Sequence, residues 1–355
     1  MSTLLVTSTA ESTGKTAVAV ALARLAQKRG AEVGYMKPKG TRLESVVGKT
    51  RDEDPALARE VLGLEAGMGQ LEPVVYSPTF VQEAVRGRED PDALRERVAE
   101  SFAELAEGVD LMLLEGGGRL WTGGVVELTD PDVADLLDAR AVLVSRYAET
   151  GDLDDVLAGA EAFGDRLAGV LFNAVESAHL EGLSEDSIPF LEGRGVDSLG
   201  AVPRDERLAG VSVADLRRGV GGDLLTPDAP TDGLVERVAV GAMSADAVLD
   251  HLRRTRRAAL VTGGDRADVQ TAALEAGGLA CLVLTGGYRP SSAVLGKAAD
   301  RGVPVVLVDA DTRTAVDRVE ETLRSGRTTT EDAVDRMVDL LSERADVEAL
   351  LGLEE

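Results

Sequence analysis

Short apolar runs alternate with amphipathic stretches through almost the whole chain, and no other feature restricts the fold so strongly. Residues 4–7, 33–36, 111–114, 141–144, 169–172 and 198–202 are near-continuously apolar and bounded by turn formers. Between most of them lie stretches with helical spacing, such as 16–28, 54–62 and 153–163. Strands that are apolar on both sides and separated by helices belong in a parallel sheet covered on both faces. The expected class is therefore α/β, with helices on either side of a parallel sheet.

The pattern loosens from 204 to 233, where Pro203, Gly219, Gly221, Gly222, Pro227, Pro230 and Gly233 crowd together. This stretch reads as a connection between domains, with room for a short element of its own. Alternation then resumes. Strands are expected at 235–242, 258–262, 280–285 and 303–308, and helices at 245–253, 267–276, 292–300 and 312–324. The tail, 330–353, reads as helical and charged. With 355 residues the chain divides into a first domain, 1–210, and a smaller second α/β domain, 211–355.

The first strand runs into Ser8-Thr9-Ala10-Glu11-Ser12-Thr13-Gly14-Lys15-Thr16, and an Ala-rich helix follows at once. Strand, loop and helix start are the context a phosphate loop requires. Backbone N–H groups of Glu11, Ser12, Thr13 and Gly14 can wrap phosphate oxygens where the helix dipole favours an anion. Lys15 would bridge the β- and γ-phosphates and the Thr16 hydroxyl would ligate Mg²⁺. Thr9 stands where the usual first glycine would be, so the motif is incomplete. A second Gly48-Lys49-Thr50 follows no clear strand and is read as incidental.

Only six of the 38 basic residues are lysines, and five of those six lie within the first fifty positions. Lys37 and Lys39 directly follow the second strand, at the carboxyl edge where open α/β folds bind ligands; the plain alternative is a solvated surface position. Glu115 ends a buried strand beside three glycines, placed to ligate a metal or position a water. Asp54 is either a helix N-cap or a second Mg²⁺ ligand.

The net charge of −25 argues against nucleic acid and against an anionic membrane surface as partners. Acid excess, arginine over lysine and 3% aromatics are the marks of a protein adapted to high salt. No secretory leader or apolar span of about 18 residues is read, and a cytoplasmic location is expected. Cys281 is the single cysteine, inside an apolar run, and His179 and His251 are the only histidines. Cys–His catalysis and a Cys/His zinc site are therefore not expected.

Val6–Thr16 in this spelling, Gly34-Tyr35-Met36-Lys37-Pro38, Asp54 and Glu115-Gly116-Gly117 together resemble the P-loop domain of dethiobiotin synthetases and cobyrinate diamide synthases. Leu171-Phe172-Asn173-Ala174 and Gly200–Asp205 resemble two later segments of that family. The resemblance implies that Lys15 and Lys37 contact phosphates and act in catalysis. Thr16, Asp54 and Glu115 would hold Mg²⁺, Asn173 would meet the base, and Pro203 would line the nucleotide. Dethiobiotin synthetases carry a glycine where Ser8 stands, and Lys37-Pro38-Lys39-Gly40-Thr41-Arg42 replaces their small-residue substrate loop.

The second domain resembles the DRTGG domain, through Asp265-Arg266 and Thr285-Gly286-Gly287. These two loops read as one small-ligand cleft, or else as tight turns alone. The pair of domains is similar to the N-terminal half of long phosphotransacetylases, which implies a regulatory protein binding ATP, Mg²⁺ and a second small ligand. Its implied partner is an acetyl-CoA or acyl-phosphate enzyme, and its implied state a homodimer. The alternatives are an ATP-dependent synthetase with Lys37, Lys39 and Arg42 on an anionic acceptor, and a small-molecule kinase with a lid arginine among Arg86, Arg88, Arg95 and Arg97. Acetyl transfer by these residues themselves is not expected.

Overall fold

A computed structural model of the protein describes residues 1–41, 43–46, 49–325 and 331–352. Arg42, Gly48 and the tail positions 330 and 353 lie outside the described residues. The chain forms two compact units, one from Met1–Arg204 with the C-terminal helices and one from Asp205–Arg327.

In the first unit six parallel strands, β1 (Ser2–Ser8), β2 (Val33–Met36), β3 (Leu111–Glu115), β4 (Arg140–Ser145), β5 (Leu167–Val175) and β6 (Ser198–Pro203), form one sheet. Their order is β6-β5-β4-β1-β3-β2, every neighbour parallel. Leu4, Leu5, Val6, Leu113, Leu114, Val142 and Leu143 are all buried, as expected for strands covered on both faces. Chain order departs to opposite sides of β1, so the carboxyl ends of β1, β3 and β4 border the crevice at which such sheets take ligands. Helices α1 (Lys15–Lys28), α2 (Glu53–Leu62) and α3 (Asp130–Leu136) all begin at that edge.

The residues around the second Gly-Lys-Thr differ from expectation. A strand, Leu43–Val46, does precede it and pairs antiparallel with Lys49–Asp52. No helix starts at its lysine, so the phosphate-loop context is absent there.

In the second unit four parallel strands and one antiparallel edge strand form a second sheet. They are β7 (Asp223–Leu224), β8 (Arg237–Val240), β9 (Ala258–Gly263), β10 (Leu279–Thr285) and β11 (Val305–Leu307), ordered β7-β11-β10-β9-β8. The loosened stretch is not a bare connection. It contains α4 (Val213–Val220), capped by the Ser212 side chain and ended by Gly221 at φ 66. The expected strand at 235–242 is two pieces, Leu234–Val235 on a separate pair and β8 in the main sheet. The helix Ser292–Asp300 has the expected bounds, and α5 (Ala267–Glu275) ends one residue early.

The tail contradicts its expected place in the second domain. Its first helix, α6 (Glu331–Arg344), packs on α1, and Arg24 holds Glu331 at 2.7 Å. Asp346 then donates its amide to the Leu199 carbonyl at 2.9 Å. Met337, Val338, Leu340 and Leu341 are buried there, and this apolar face decides the matter. Among the described residues no helix is long and apolar enough to cross a membrane.

Candidate functional site

The loop after β1 is an anion cradle in its backbone. Gly14 is the N-cap of α1 at φ 86, no side chain caps the helix, and no acid lies in its first turn. The first-turn amides of a helix have no partner within it, so this end is left to an anion. A Cβ at position 14 would lie 2.4 Å from Asn173 Nδ2, which explains the glycine. Ser12 is also left-handed, at φ 56. The Thr13 hydroxyl is buried with no hydrogen-bond partner, an orphan that a phosphate oxygen would satisfy. Glu11 and Ser12 are exposed at the mouth. The Lys15 ammonium donates to the Gly118 carbonyl at 2.7 Å. Burial pulls Lys15 below its ordinary value, partly countered by the charges of Asp130 and Glu115.

Beside the cradle lies a buried charge network. Thr16 donates to Glu115 Oε1 at 2.7 Å and Tyr35 to Oε2 at 2.6 Å. Lys37, 1% exposed, meets Asp54 and, at 2.7 Å, Asp52, with Glu115 at 3.8 Å. Burial alone would pull Lys37 down, but Asp54, Glu115 and Asp52 outweigh it and hold it above its ordinary value. Burial and the charge of Asp54 push Glu115 up to about 7. Burial likewise pushes Glu72 up to about 7, and its Oε2 accepts from the Asp52 amide at 3.1 Å. The N-cap of α2 is Asp52, which accepts from the Asp54 amide at 2.9 Å; Asp54 is thereby left to face Lys37.

Lys39 is neither surface-solvated nor turned toward a ligand. It is buried against Asp130 at 2.5 Å, and Thr7 donates to the other oxygen of that carboxylate at 2.5 Å. Asp130 and Glu72 are members of this region that sequence reasoning missed, and it assigns Asp52 and Tyr35 no role there. A buried lysine demands a carboxylate, but an acid 91 positions away carries no local sign of the pairing.

Asn173, on β5, donates to the Thr13 carbonyl at 2.8 Å, and Arg146, just past β4, donates to the Ser12 carbonyl. Pro203 sits half-buried at the end of β6, in register with Val175 of β5. Thus Glu11 through Thr16, Lys37, Asp54, Glu115 and Asn173 are brought to one edge of one sheet. Among the described residues no cluster of three or more His, Cys, Asp or Glu side chains is arranged as a metal cage. The carboxylates here face an ammonium and two hydroxyls instead.

A family model described as an AAA domain (AAA_26) matches residues 2–212, more than half of the chain. The chain belongs to this AAA domain family. A DRTGG domain model matches residues 215–322. The AAA domain is related to the ATP-dependent dethiobiotin synthetase of Rhodococcus jostii, 32% identical over 220 residues, which are 60% of this chain and 91% of that protein. The phosphate acetyltransferase of Haemophilus influenzae is 26% identical over 310 residues, 78% of this chain and 41% of that protein. The chain thus spans less than half the length of the phosphate acetyltransferases it matches. Among solved structures, the MinD cell division protein of Aquifex aeolicus aligns with TM-score 0.35 and 15% identity, over 59% of this chain and 84% of that one.

The DRTGG unit brings its two motif loops to one edge. Gly263 and Thr285 are in register, and Gly264 donates to the Thr285 carbonyl at 3.2 Å. Gly264 admits no side chain, because a Cβ would lie 1.9 Å from the Tyr288 carbonyl. Gly286 and Gly287 are exposed and left-handed, at φ 79 and φ 70. Arg266 lies over the start of α5, bound to Asp268 at 3.3 Å and to the Met243 carbonyl at 3.2 Å. Asp265 is exposed and Thr285 is buried on the Thr312 hydroxyl at 2.9 Å. Cys281 is core, its thiol pushed up to about 12 by burial.

Proposed function

We propose that the AAA domain binds ATP with Mg²⁺ and that, joined to a DRTGG domain taking a second small ligand, it works as a nucleotide-responsive regulatory protein. The carrying observation is the cradle: a fourteen-residue helix with no side-chain cap, two left-handed loop residues and, among the described residues, an orphan Thr13 hydroxyl and a lysine bound only to a backbone carbonyl. Each element is unsatisfied or weakly satisfied alone and is completed by a triphosphate. Thr16, Asp54 and Glu115 would hold Mg²⁺, whose chemistry is to neutralise charge on the β- and γ-phosphates. Lys37 shares Asp54 and Glu115 with that position, so its ammonium is set to turn to phosphate when the carboxylates are otherwise engaged.

The dethiobiotin synthetase relative supports a second reading, a synthetase that activates a carboxylate. Against it, the two lysines that would receive an anionic acceptor, Lys37 and Lys39, are both buried on carboxylates. The regulatory reading carries with it a homodimer, a cytoplasmic setting and service to an acetyl-CoA or acyl-phosphate enzyme. The loops at Asp265-Arg266 and Thr285-Gly286-Gly287 would form the second ligand's seat.

The test is Lys15→Ala in the full chain, followed by calorimetry with Mg·ATP and by melting. Loss of ATP binding with an unchanged melting temperature is the expected result. Unchanged ATP affinity would overturn the assignment.

A further inference from the structure

Two side chains from neighbouring strands take consecutive carbonyls of the phosphate loop. Arg146, one residue past β4, donates to Ser12 O, and Asn173, on β5, donates to Thr13 O. We propose that Arg146 and Asn173 are positioning residues, a carbonyl clamp that turns the Thr13 and Gly14 amides toward the bound phosphates. The proposal rests on the nucleotide reading above and deepens it.

The argument is one of peptide geometry. In a planar trans peptide the C=O and N–H point in opposite directions. The Ser12 carbonyl shares its peptide with the Thr13 amide, and the Thr13 carbonyl shares its peptide with the Gly14 amide. Fixing those two oxygens on one side therefore fixes two N–H groups on the other. The local backbone agrees: Ser12 at φ 56 and Gly14 at φ 86 bracket Thr13, and left-handed residues in a loop gather amides into an anion nest. A serine in that region is disfavoured, so something must hold it there, and the Arg146 guanidinium holds its carbonyl.

Arg146 is conspicuous on electrostatic grounds. In a chain with 63 acids against 38 basic residues, the one hydrogen-bond partner of its guanidinium among the described residues is a neutral carbonyl. Arg146 is exposed, and the partial loss of water at its guanidinium and the like charge of Arg204 lower its basicity, the opposite of what a carboxylate partner would do. Asn173 is 4% exposed, and its Nδ2 would lie 2.4 Å from a Cβ at position 14, where a φ of 86 already favours glycine. Both side chains bond to carbonyls of the loop.

The experiment compares Mg·ATP with inorganic tripolyphosphate, which has no base, by calorimetry on the full chain. Wild type, Arg146→Ala, Arg146→Lys, Asn173→Ala and Asn173→Asp are measured with their melting temperatures. The clamp predicts that Arg146→Ala and Asn173→Ala each bind both ligands about tenfold more weakly or worse. Arg146→Lys, which keeps a donor, should fall between. Asn173→Asp keeps the shape and removes the donor, so it carries the test if the alanine variant melts early. Wild-type affinity in Arg146→Ala overturns the clamp. So does an Asn173 variant that loses ATP but keeps tripolyphosphate, because that pattern belongs to a base contact. Failure of the nucleotide reading looks different: wild type itself then binds neither ligand, and Lys15→Ala changes nothing.

Discussion

Removing the Lys37 ammonium, by Lys37→Met, should be among the most damaging single changes in the AAA domain. At an effective dielectric constant of about 20, its attraction to Asp52 at 2.7 Å is about 6 kcal/mol. On the same footing its attraction to Glu115 at 3.8 Å is about 4 kcal/mol, and Asp54 adds its own share. Desolvation of the buried charges cancels most of this, and taking one partner from such a cluster costs about 3–5 kcal/mol. For a unit of this size that is a fall in melting temperature of roughly 6–20 °C.

The pH dependence carries the diagnosis. Lys37 is held above its ordinary 10.5, so in the wild type its stabilisation is complete below that pH and is lost only as pH climbs through the higher folded value. In the variant Glu115, already raised by burial and the charge of Asp54, loses the Lys37 charge that draws it down and rises further, and an acid with a raised folded pKa loses stability as pH rises. The deficit should therefore be larger at about pH 8 than at about pH 5.5. Thermal melts of both proteins at the two pH values measure it. A deficit below about 1 kcal/mol, or one indifferent to pH, would refute the view that the Lys37 charge offsets the acids packed around it.

Two further outcomes are expected. Glu115, at about 7, is protonated below that pH and cannot then ligate a cation, so Mg²⁺ dependence of ATP binding should strengthen from about pH 6 to about pH 8 and level off above. In Glu115→Gln the dependence should be weak and flat, and a flat wild-type titration would remove Glu115 from the metal site. Asp130→Asn leaves the Lys39 ammonium buried without its charge partner and should cost about 3–5 kcal/mol in melts, most of it recovered in the double variant with Lys39→Met; a double variant no better than the single would refute the pairing argument.

The sheet was legible because its strands are apolar on both sides, and the phosphate loop because a strand, a loop and a helix meet there in ten residues. The lysine bias pointed to Lys15, Lys37 and Lys39, yet their settings differ: Lys15 donates to the Gly118 carbonyl beside the loop, while Lys37 and Lys39 sit on carboxylates in a buried acid network. Which acids hold them was not legible, since Glu115 and Asp130 arrive from strands and helices far along the chain. Helix α4 was hidden by its own glycines. Gly221 ends it in the left-handed conformation, and a run of breakers looks the same whether it closes a helix or joins two domains. The tail's destination needed the apolar face of α6 to be matched with α1, a match between surfaces that periodicity alone does not identify.

That destination has a consequence for the architecture of the chain. Residues 331–352 complete the unit that residues 1–204 begin, so the DRTGG unit is spliced into the sequence of the other rather than appended to it. Helix α1, which opens at the phosphate loop, is backed along its length by α6. A protease that trimmed α6 would bare the face of α1 that it covers and loosen the phosphate loop from behind, without touching any residue of that loop.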